Sequence, residues 1–273
     1  MFTNNIDPIL IDFGRFNISY YGLFYGIGFL FSYFFIRYLI KKKKDTNLET
    51  KDVDDFFLFL MIGGLLGARI FYVLIYNFNY YMQNPQLILA FNQGGMSFHG
   101  SWVGAMLALG LYVNLHSKKK KDKPIEIYDI TDLAVIPFAL SLSLGRIGNF
   151  TNHELYGRVT DVAWAVKFRG VEGYRHPSQI YSSIKNILIF GILFWINTMK
   201  GIPKGIMTWS FITLYGILRF FVEFFRQPDS QLGANGFFFG WISMGQILSS
   251  IMIVFGIGML FYIYYKDGKR LEE

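Results

Sequence analysis

Apolar residues in this chain gather into long blocks, and polar residues fall into the intervals between them. A helix of about 20 mostly apolar residues crosses the hydrocarbon core of a bilayer. About seven such blocks meet that length, at roughly 18–40, 55–76, 98–116, 129–150, 180–199, 205–225 and 241–265. Lipid offers no partner to an open backbone N–H or C=O, so each block is expected to be helical. The pattern predicts an all-α, polytopic membrane protein that forms one integral domain over residues 1–273. Two external segments, about 77–97 and 151–178, are expected to form a small arm and a small head.

The intervals fall into two sets. One set carries lysine blocks: Lys41 to Lys44, Lys118 to Lys121 with Lys123, Lys200 and Lys204, and the tail "KDGKR". The other comprises the N-terminus, "NFNYYMQNPQLILAFNQGG", the segment 151–178 and "QPDSQLGANG", and is poor in net charge. By the positive-inside rule the lysine set is cytoplasmic. An odd number of spans then predicts an external N-terminus and a cytoplasmic C-terminus. The first apolar block is long and its basic flank, "KKKKD", lies on the C-terminal side, the reverse of a cleavable signal. It is expected to remain as the first membrane helix. "IGGLLGAR" and "GSWVGAMLALG" carry small residues at helical spacing, which lets helix backbones approach closely.

Composition agrees with this pattern. Of the 273 residues 53% are hydrophobic and only 16% charged, with mean hydropathy +0.33, whereas soluble domains carry about 25% charged residues. The net charge of +7 lies in the short lysine blocks and not along one face of a domain, so nucleic acid is not an expected partner. With no cysteine in the chain, a disulfide framework, a Cys-ligated zinc and a cysteine nucleophile are all excluded.

Four polar clusters stand at the predicted outer ends of spans: "GGMSFHG" (94–100), "GRIGNFTNHELYGR" (145–158), "YRHPSQIY" (174–181) and "RFFVEFFRQPD" (219–229). Far apart in sequence but at similar predicted depth, they suit one site built from several helix ends. A charge at bilayer depth costs roughly 2.5–3.5 kcal/mol on insertion scales, so Arg69, Arg146, Arg219, Glu223 and Arg226 each need a partner or a task. Arg69 and Arg219 stand in otherwise plain apolar spans, where purely structural pairing weighs as much as function. Arg146 and Arg226 are flanked by other polar residues, which favours function. "HELYG" has glycine where a zinc-binding H-E-x-x-H would have its second histidine, so no metal is expected. Ser97 and Ser178 lie near histidines but in no G-x-S-x-G elbow, which argues against a serine hydrolase.

These clusters resemble the bacterial prolipoprotein diacylglyceryl transferase family. Gly145 to Gly157 follow its signature, G-R-x-G-N-F-x-N-x-E-x-x-G, without a gap. "GGMSFHG", "HPSQIY", "VEFFRQPD", "YYGLFYG" and "MGQILS" also look like family motifs. The chain departs at His153, where the family often has glycine, and at Ser182, where it often has glutamate. The resemblance implies a multi-pass enzyme of the bacterial cytoplasmic (inner) membrane. Its substrates would be phosphatidylglycerol and preprolipoprotein signal peptides bearing a lipobox cysteine. The diacylglyceryl group would pass to the cysteine thiol, a thioether would form and glycerol phosphate would leave, with no cofactor.

Thiol ionisation is the smaller demand in such a reaction: from a pKa near 8.5, thiolate at pH 7 costs about 2 kcal/mol. Holding an anionic phosphodiester while charge grows on its leaving oxygen is the larger one, and donors aimed at that charge contribute several kcal/mol. Arginine suits this because its planar fork binds phosphate bidentately. Arg146 and Arg226 are therefore expected to hold the phosphate. Asn149 and Glu154 would bond the head-group glycerol or orient Arg146, Gly157 would keep the chain close, and His99 is the candidate base. Tyr21 is a candidate for lining the pocket, with core packing as the competing role. Anion transport is the rival class, disfavoured because the sequence lacks an obvious inverted repeat and its polar clusters gather near one face. An inert scaffold leaves the buried charges unexplained.

Overall fold

Each predicted apolar block lies on a helix in the computed structural model, which describes residues 1–14, 17–43, 46–91, 94–119, 122, 124–228, 237–238 and 241–272. Lys44, Lys120, Lys121 and Lys123 of the lysine blocks lie outside the described residues, as do positions 92 and 93 of the arm and the connector from Asp229 to Gly236. The long helices are α1 (Tyr20–Lys42), α2 (Thr50–Phe71), α4 (Phe98–Lys119), α5 (Ile127–Thr151), α6 (Ser178–Ile196), α7 (Ile206–Glu223) and α8 (Met244–Glu272). A short α3 (Phe78–Gln83) lies in the arm. Among the described residues six helices are long and apolar enough to cross a membrane: α1, α2 with the π-helical turn Tyr72–Tyr76 that continues it, α5, α6, α7 and α8. Helix α4 has 22 residues but is interrupted by His99, Ser101, Asn114, His116 and Ser117, and it falls short of that apolarity.

Two units make up the chain, residues 36–130 and residues 1–35 with 131–273. In the first, α2 and α4 pack through glycine. A methyl group on Gly63 would stand 2.6 Å from the Gly104 carbonyl oxygen, and one on Gly67 would stand 2.7 Å from Gly104 Cα. The small residues singled out in the sequence are thus the contact surface of this pair. One end of the pair holds a buried polar knot in which His116 Nε2 lies 2.9 Å from the Asp52 carboxylate and Tyr112 packs against the His116 ring. The other end is organised by Arg69, only 1% exposed. Its guanidinium donates to the carbonyls of Leu87 (2.6 Å), Ile88 (2.7 Å), Gly94 (2.5 Å) and Gly95 (3.0 Å), and it lies over the Tyr81 ring. Gly94 and Gly95 both have positive φ, which lets the loop present those carbonyls to one side chain. The Ser97 amide then bonds the Ala68 carbonyl, and α4 begins at Phe98. Arg69 is therefore a structural arginine.

The second unit is inverted relative to a water-soluble core. Asn149, Gln179, Ser182, Ser183, Asn186, Thr213, Gln246 and Ser249 are buried, while Leu248, Ile251, Val254, Phe255 and Phe261 of α8 are exposed. An apolar outer face of that extent suits lipid as solvent. Buried hydroxyls bind helix to helix: Ser32 to Ser141 at 3.0 Å between α1 and α5, and Ser143 to Ser183 at 2.6 Å between α5 and α6. Asp132 of α5 takes the Gly205 and Thr208 amides at the start of α7 at 2.6 and 2.9 Å. A carboxylate is favourable at that helix N-terminus.

Short strands complete this unit. The strands β1 (Phe2–Asn4) and β4 (Val166–Phe168) pair in parallel; β2 (Ile9–Asp12) and β3 (Asn17–Ser19) pair antiparallel, as do β5 (Phe237–Phe238) and β6 (Ile242–Ser243). Asn4, fully buried, donates to the Phe150 carbonyl at 2.9 Å and so ties the N-terminal arm to the end of α5. His153 lies on a left-handed turn, φ 57°, and its Nε2 sits 2.8 Å from the Ile6 carbonyl oxygen.

Candidate active site

The last two turns of α5 carry Arg146 and Asn149, three residues apart, so their side chains share a face. Arg146 donates to Asn149 Oδ1 at 3.3 Å, and Asn149 Nδ2 donates to the Glu154 carboxylate at 2.8 Å. The amide is thus a relay: one end receives from a cation and the other gives to an anion. Glu154 reaches this position because the chain turns back after α5, its amide bonded to the Asn149 carbonyl at 3.1 Å. Buried Gln179, at the start of α6, donates to the Glu154 backbone carbonyl at 2.7 Å and holds the turn. Tyr21 of α1 lies against Gly148, where a methyl group would stand 2.9 Å from its ring. It feels both Glu154 and Arg146 electrostatically. Its hydroxyl bonds that of Tyr25 at 3.2 Å.

A second cationic group stands at the end of α7. Glu223, whose side chain is 2% exposed, pairs with Arg219 at 2.7 Å one turn back and with Arg226 at 3.6 Å just beyond the helix. The carboxylate is also anchored from α8. Ser243 Oγ donates to it at 3.1 Å, and Gly245 leaves it room, since a methyl group there would stand 2.6 Å from the carboxyl. Ser243 is itself the N-cap of α8: its Oγ accepts from the Gln246 amide at 3.2 Å while its own amide donates to Gln246 Oε1 at 3.0 Å. This is a capping box, so the sequence "SMGQ" that ends the last loop also fixes Glu223. The two groups adjoin: Arg146 lies within electrostatic reach of Arg219, as does Arg226.

Gly157 joins the head to this site. It bridges to Arg226, and its amide donates to the His176 carbonyl at 2.9 Å. A methyl group on it would stand 2.5 Å from the His176 oxygen and 2.6 Å from the Phe225 oxygen, so only glycine admits the three backbones side by side. The Arg158 amide bonds the Phe225 carbonyl at 2.9 Å, and Arg175 donates to the Gly157 carbonyl at 3.2 Å while lying over the Tyr156 ring. His176 Nδ1 and the Tyr181 hydroxyl stand 3.1 Å apart, and the Trp164 indole donates to that hydroxyl at 2.7 Å. Burial, and after it the charge of Arg158, holds the His176 imidazole below its ordinary pKa.

Of the residues expected from sequence, Tyr21, Arg146, Asn149, Glu154, Gly157 and Arg226 thus belong to one unit, linked by contact or electrostatic reach. His99 belongs to the other unit, exposed on the first turn of α4 beside the Phe98 ring. Among the described residues no group of three His, Asp or Glu side chains is arranged to hold a metal ion. One buried basic residue near these arginines was not singled out in the sequence. Lys185, 4% exposed within α6, lies within electrostatic reach of Arg146 and Arg219. A lysine inside an apolar span was the available signal.

The family model described as prolipoprotein diacylglyceryl transferase matches residues 8–262. Relatives named phosphatidylglycerol–prolipoprotein diacylglyceryl transferase match nearly end to end. The chain is 41% identical to that of Geobacter sulfurreducens, covering 93% of this chain and 94% of the relative. The Pseudoalteromonas translucida protein is 42% identical, with 97% and 96% covered, and that of Pasteurella multocida 40% identical, with 97% and 95% covered. At that identity over that length, with the signature residues gathered around a cationic cluster, the chain belongs to the prolipoprotein diacylglyceryl transferase family.

Proposed function

We propose that this protein is a phosphatidylglycerol–prolipoprotein diacylglyceryl transferase of the bacterial cytoplasmic membrane, acting at the first step of lipoprotein maturation. Family membership over residues 8–262 supports the reaction. The observation that carries the site is the pair Arg219 and Arg226 on the buried Glu223 carboxylate at the end of α7, with Arg146 of α5, bonded to Asn149, within electrostatic reach of Arg219. Arg146 and Arg226 take the phosphate of phosphatidylglycerol. Asn149, held between Arg146 and Glu154, fixes the angle of the Arg146 fork and turns its remaining donors toward the lipid. Preorganised donors of this kind do not reorient as charge develops, which is why they accelerate the step.

The thiol belongs to the lipobox cysteine of a preprolipoprotein. Its sulfur attacks the glyceryl carbon bonded to the phosphate oxygen. The S–C bond forms, the C–O bond breaks, and its electron pair stays on the leaving phosphate. His99 takes the thiol proton; its exposure and its place in "GGMSFHG" support the assignment. Gly157 keeps the backbone around Arg226 close to the phosphate. Tyr21 lines the pocket wall next to Arg146.

The test uses purified protein, phosphatidylglycerol and a synthetic lipobox peptide, with mass spectrometry for a diacylglyceryl adduct on the cysteine and for released glycerol phosphate. Wild type is expected to give the adduct and Arg146→Ala to lose it. Absence of adduct in wild type overturns the function, and full activity in both Arg146→Ala and Arg226→Ala overturns the site. Retention of most activity in His99→Gln removes the base role alone.

A further inference from the structure

Tyr25 has no role in the site assignments above, although it touches the same stretch of α5. Helices α1 and α5 pack through three pairs: Tyr21 against Gly148, Tyr25 against Gly145 and Gly28 against Ser141. A methyl group on Gly145 would stand 3.2 Å from the Tyr25 hydroxyl oxygen. Gly145 immediately precedes Arg146, and Gly148 immediately precedes Asn149, so the two tyrosines border the Arg146–Asn149 pair. Their ring centres are 4.7 Å apart, and the Tyr21 hydroxyl donates to that of Tyr25 at 3.2 Å. The Tyr25 oxygen is thereby an acceptor, and its own proton is left to be given elsewhere. Among the described residues this hydroxyl makes no other hydrogen bond. Tyr25 is 48% exposed, on a stretch of α1 where Leu23, Ile27, Phe29 and Leu30 are exposed too. A hydroxyl proton without an acceptor is costly in such apolar surroundings. Depth along the helix points to the acceptor. Arg146 reaches toward the end of α5, to Asn149, whereas Tyr25 lies one turn beyond Tyr21 into α1, about 6 Å further from that end. In phosphatidylglycerol the ester carbonyls lie on the tail side of the phosphate, across the glyceryl carbons. A lipid whose phosphate is taken by Arg146 brings an ester carbonyl to the level of Tyr25.

We propose that Tyr25 donates a hydrogen bond to an ester carbonyl of the bound phosphatidylglycerol, so that the site selects a diacyl over a dialkyl lipid. This rests on the transferase reading. Arg146 and Asn149 then hold the part of the lipid that leaves, and Tyr25 holds the part that is transferred. An ether-linked lipid has the same phosphate and tails but lacks the carbonyl acceptor. The carbonyl takes no part in breaking the C–O bond, so its hydrogen bond is equally strong before and during transfer. It therefore contributes to binding and not to rate.

The test uses detergent micelles without ester groups. Unlabelled diacyl and dialkyl phosphatidylglycerols of equal chain length compete with labelled phosphatidylglycerol for transfer to the lipobox peptide. Wild type is expected to bind the diacyl lipid about fivefold more tightly, the worth of one hydrogen bond. Equal binding overturns the proposal without any variant. Tyr25→Phe keeps the ring against Gly145 and removes only the hydroxyl. It should weaken the diacyl lipid about fivefold and leave the dialkyl lipid unchanged, so that the preference disappears. The KM for phosphatidylglycerol should rise by the same factor while kcat holds. A tyrosine that only supports Tyr21, or that meets only bulk lipid, would leave the preference intact in Tyr25→Phe, and that result overturns the proposal. Complete loss of transfer in the variant overturns it as well, since a group that only binds cannot abolish the chemistry. Wild type without adduct sinks the transferase reading itself, whereas an active wild type and a Tyr25→Phe protein with the same preference sink only this inference.

Discussion

Gly157 shows how a single missing side chain holds the site together. Its neighbours at 2.5 and 2.6 Å are backbone oxygens that cannot rotate away. Gly157→Ala should destabilise the protein by about 1–3 kcal/mol and cut transferase activity more than about tenfold, since Arg226 moves with its backbone. Unchanged activity in a folded Gly157→Ala protein would separate the head from the site. His153 is the opposite case. A side chain occupies a left-handed turn, φ 57°, where glycine costs nothing, and a contact of its Nε2 with the Ile6 carbonyl offsets the strain. His176 adds a pH dependence. Its pKa is held down by burial and Arg158, so the fold favours the neutral ring. That stability is complete above the unfolded value of about 6.5 and is lost as pH falls through the folded value. Thermal unfolding between pH 7 and 5 should show a steeper fall in Tm for wild type than for His176→Gln; parallel curves would contradict this.

At the scale of elements, the α2–α4 pair rests on glycine and on one arginine. Gly104→Leu forces a branched side chain into the Gly63 and Gly67 backbones, and overpacking of that kind costs about 1–3 kcal/mol, sometimes more. It should lower Tm and the yield of folded protein. Arg69→Lys should also destabilise, because an ammonium cannot reach four carbonyls spread over residues 87–95; a Tm equal to wild type would show that the loop holds itself. The helices were legible in sequence because lipid demands long apolar runs. The glycine faces were legible because close packing needs small residues at helical spacing. The Arg146–Asn149 relay was legible as a motif, since its members are three residues apart. The arm–head pairing was not. Strands of three residues have no period to read, and Asn4 meets Phe150 across 146 positions. Nor was the role of Arg69, whose partners are backbone carbonyls that no residue type announces, or that of Ser243 and Gly245, whose task is set by a carboxylate on another helix.

For the molecule as a whole, topology is the largest consequence of the lysine blocks, and α4 decides it. Six described helices meet the apolarity of a span. With only six crossings both ends of the chain would share one side; with α4 as a seventh, they would lie on opposite sides. Its 22 residues are about 33 Å of helix, enough for a hydrocarbon core of about 30 Å. Its polar residues cluster toward the two ends, His99 and Ser101 near one and Asn114, His116 and Ser117 near the other. The positive-inside rule adds Lys118 and Lys119 to the second end. We therefore expect α4 to cross. The chain has no cysteine, so single cysteines can be placed without background. Cysteines at Asp12 and Asn84 should react with a membrane-impermeant maleimide added to intact spheroplasts. Those at Asn47, Lys118 and Lys200 should react only after the membrane is opened. Labelling of Asn84 and Lys118 from the same side would mean that α4 does not cross, and the assignment of the lysine blocks to the cytoplasm would fail at that helix.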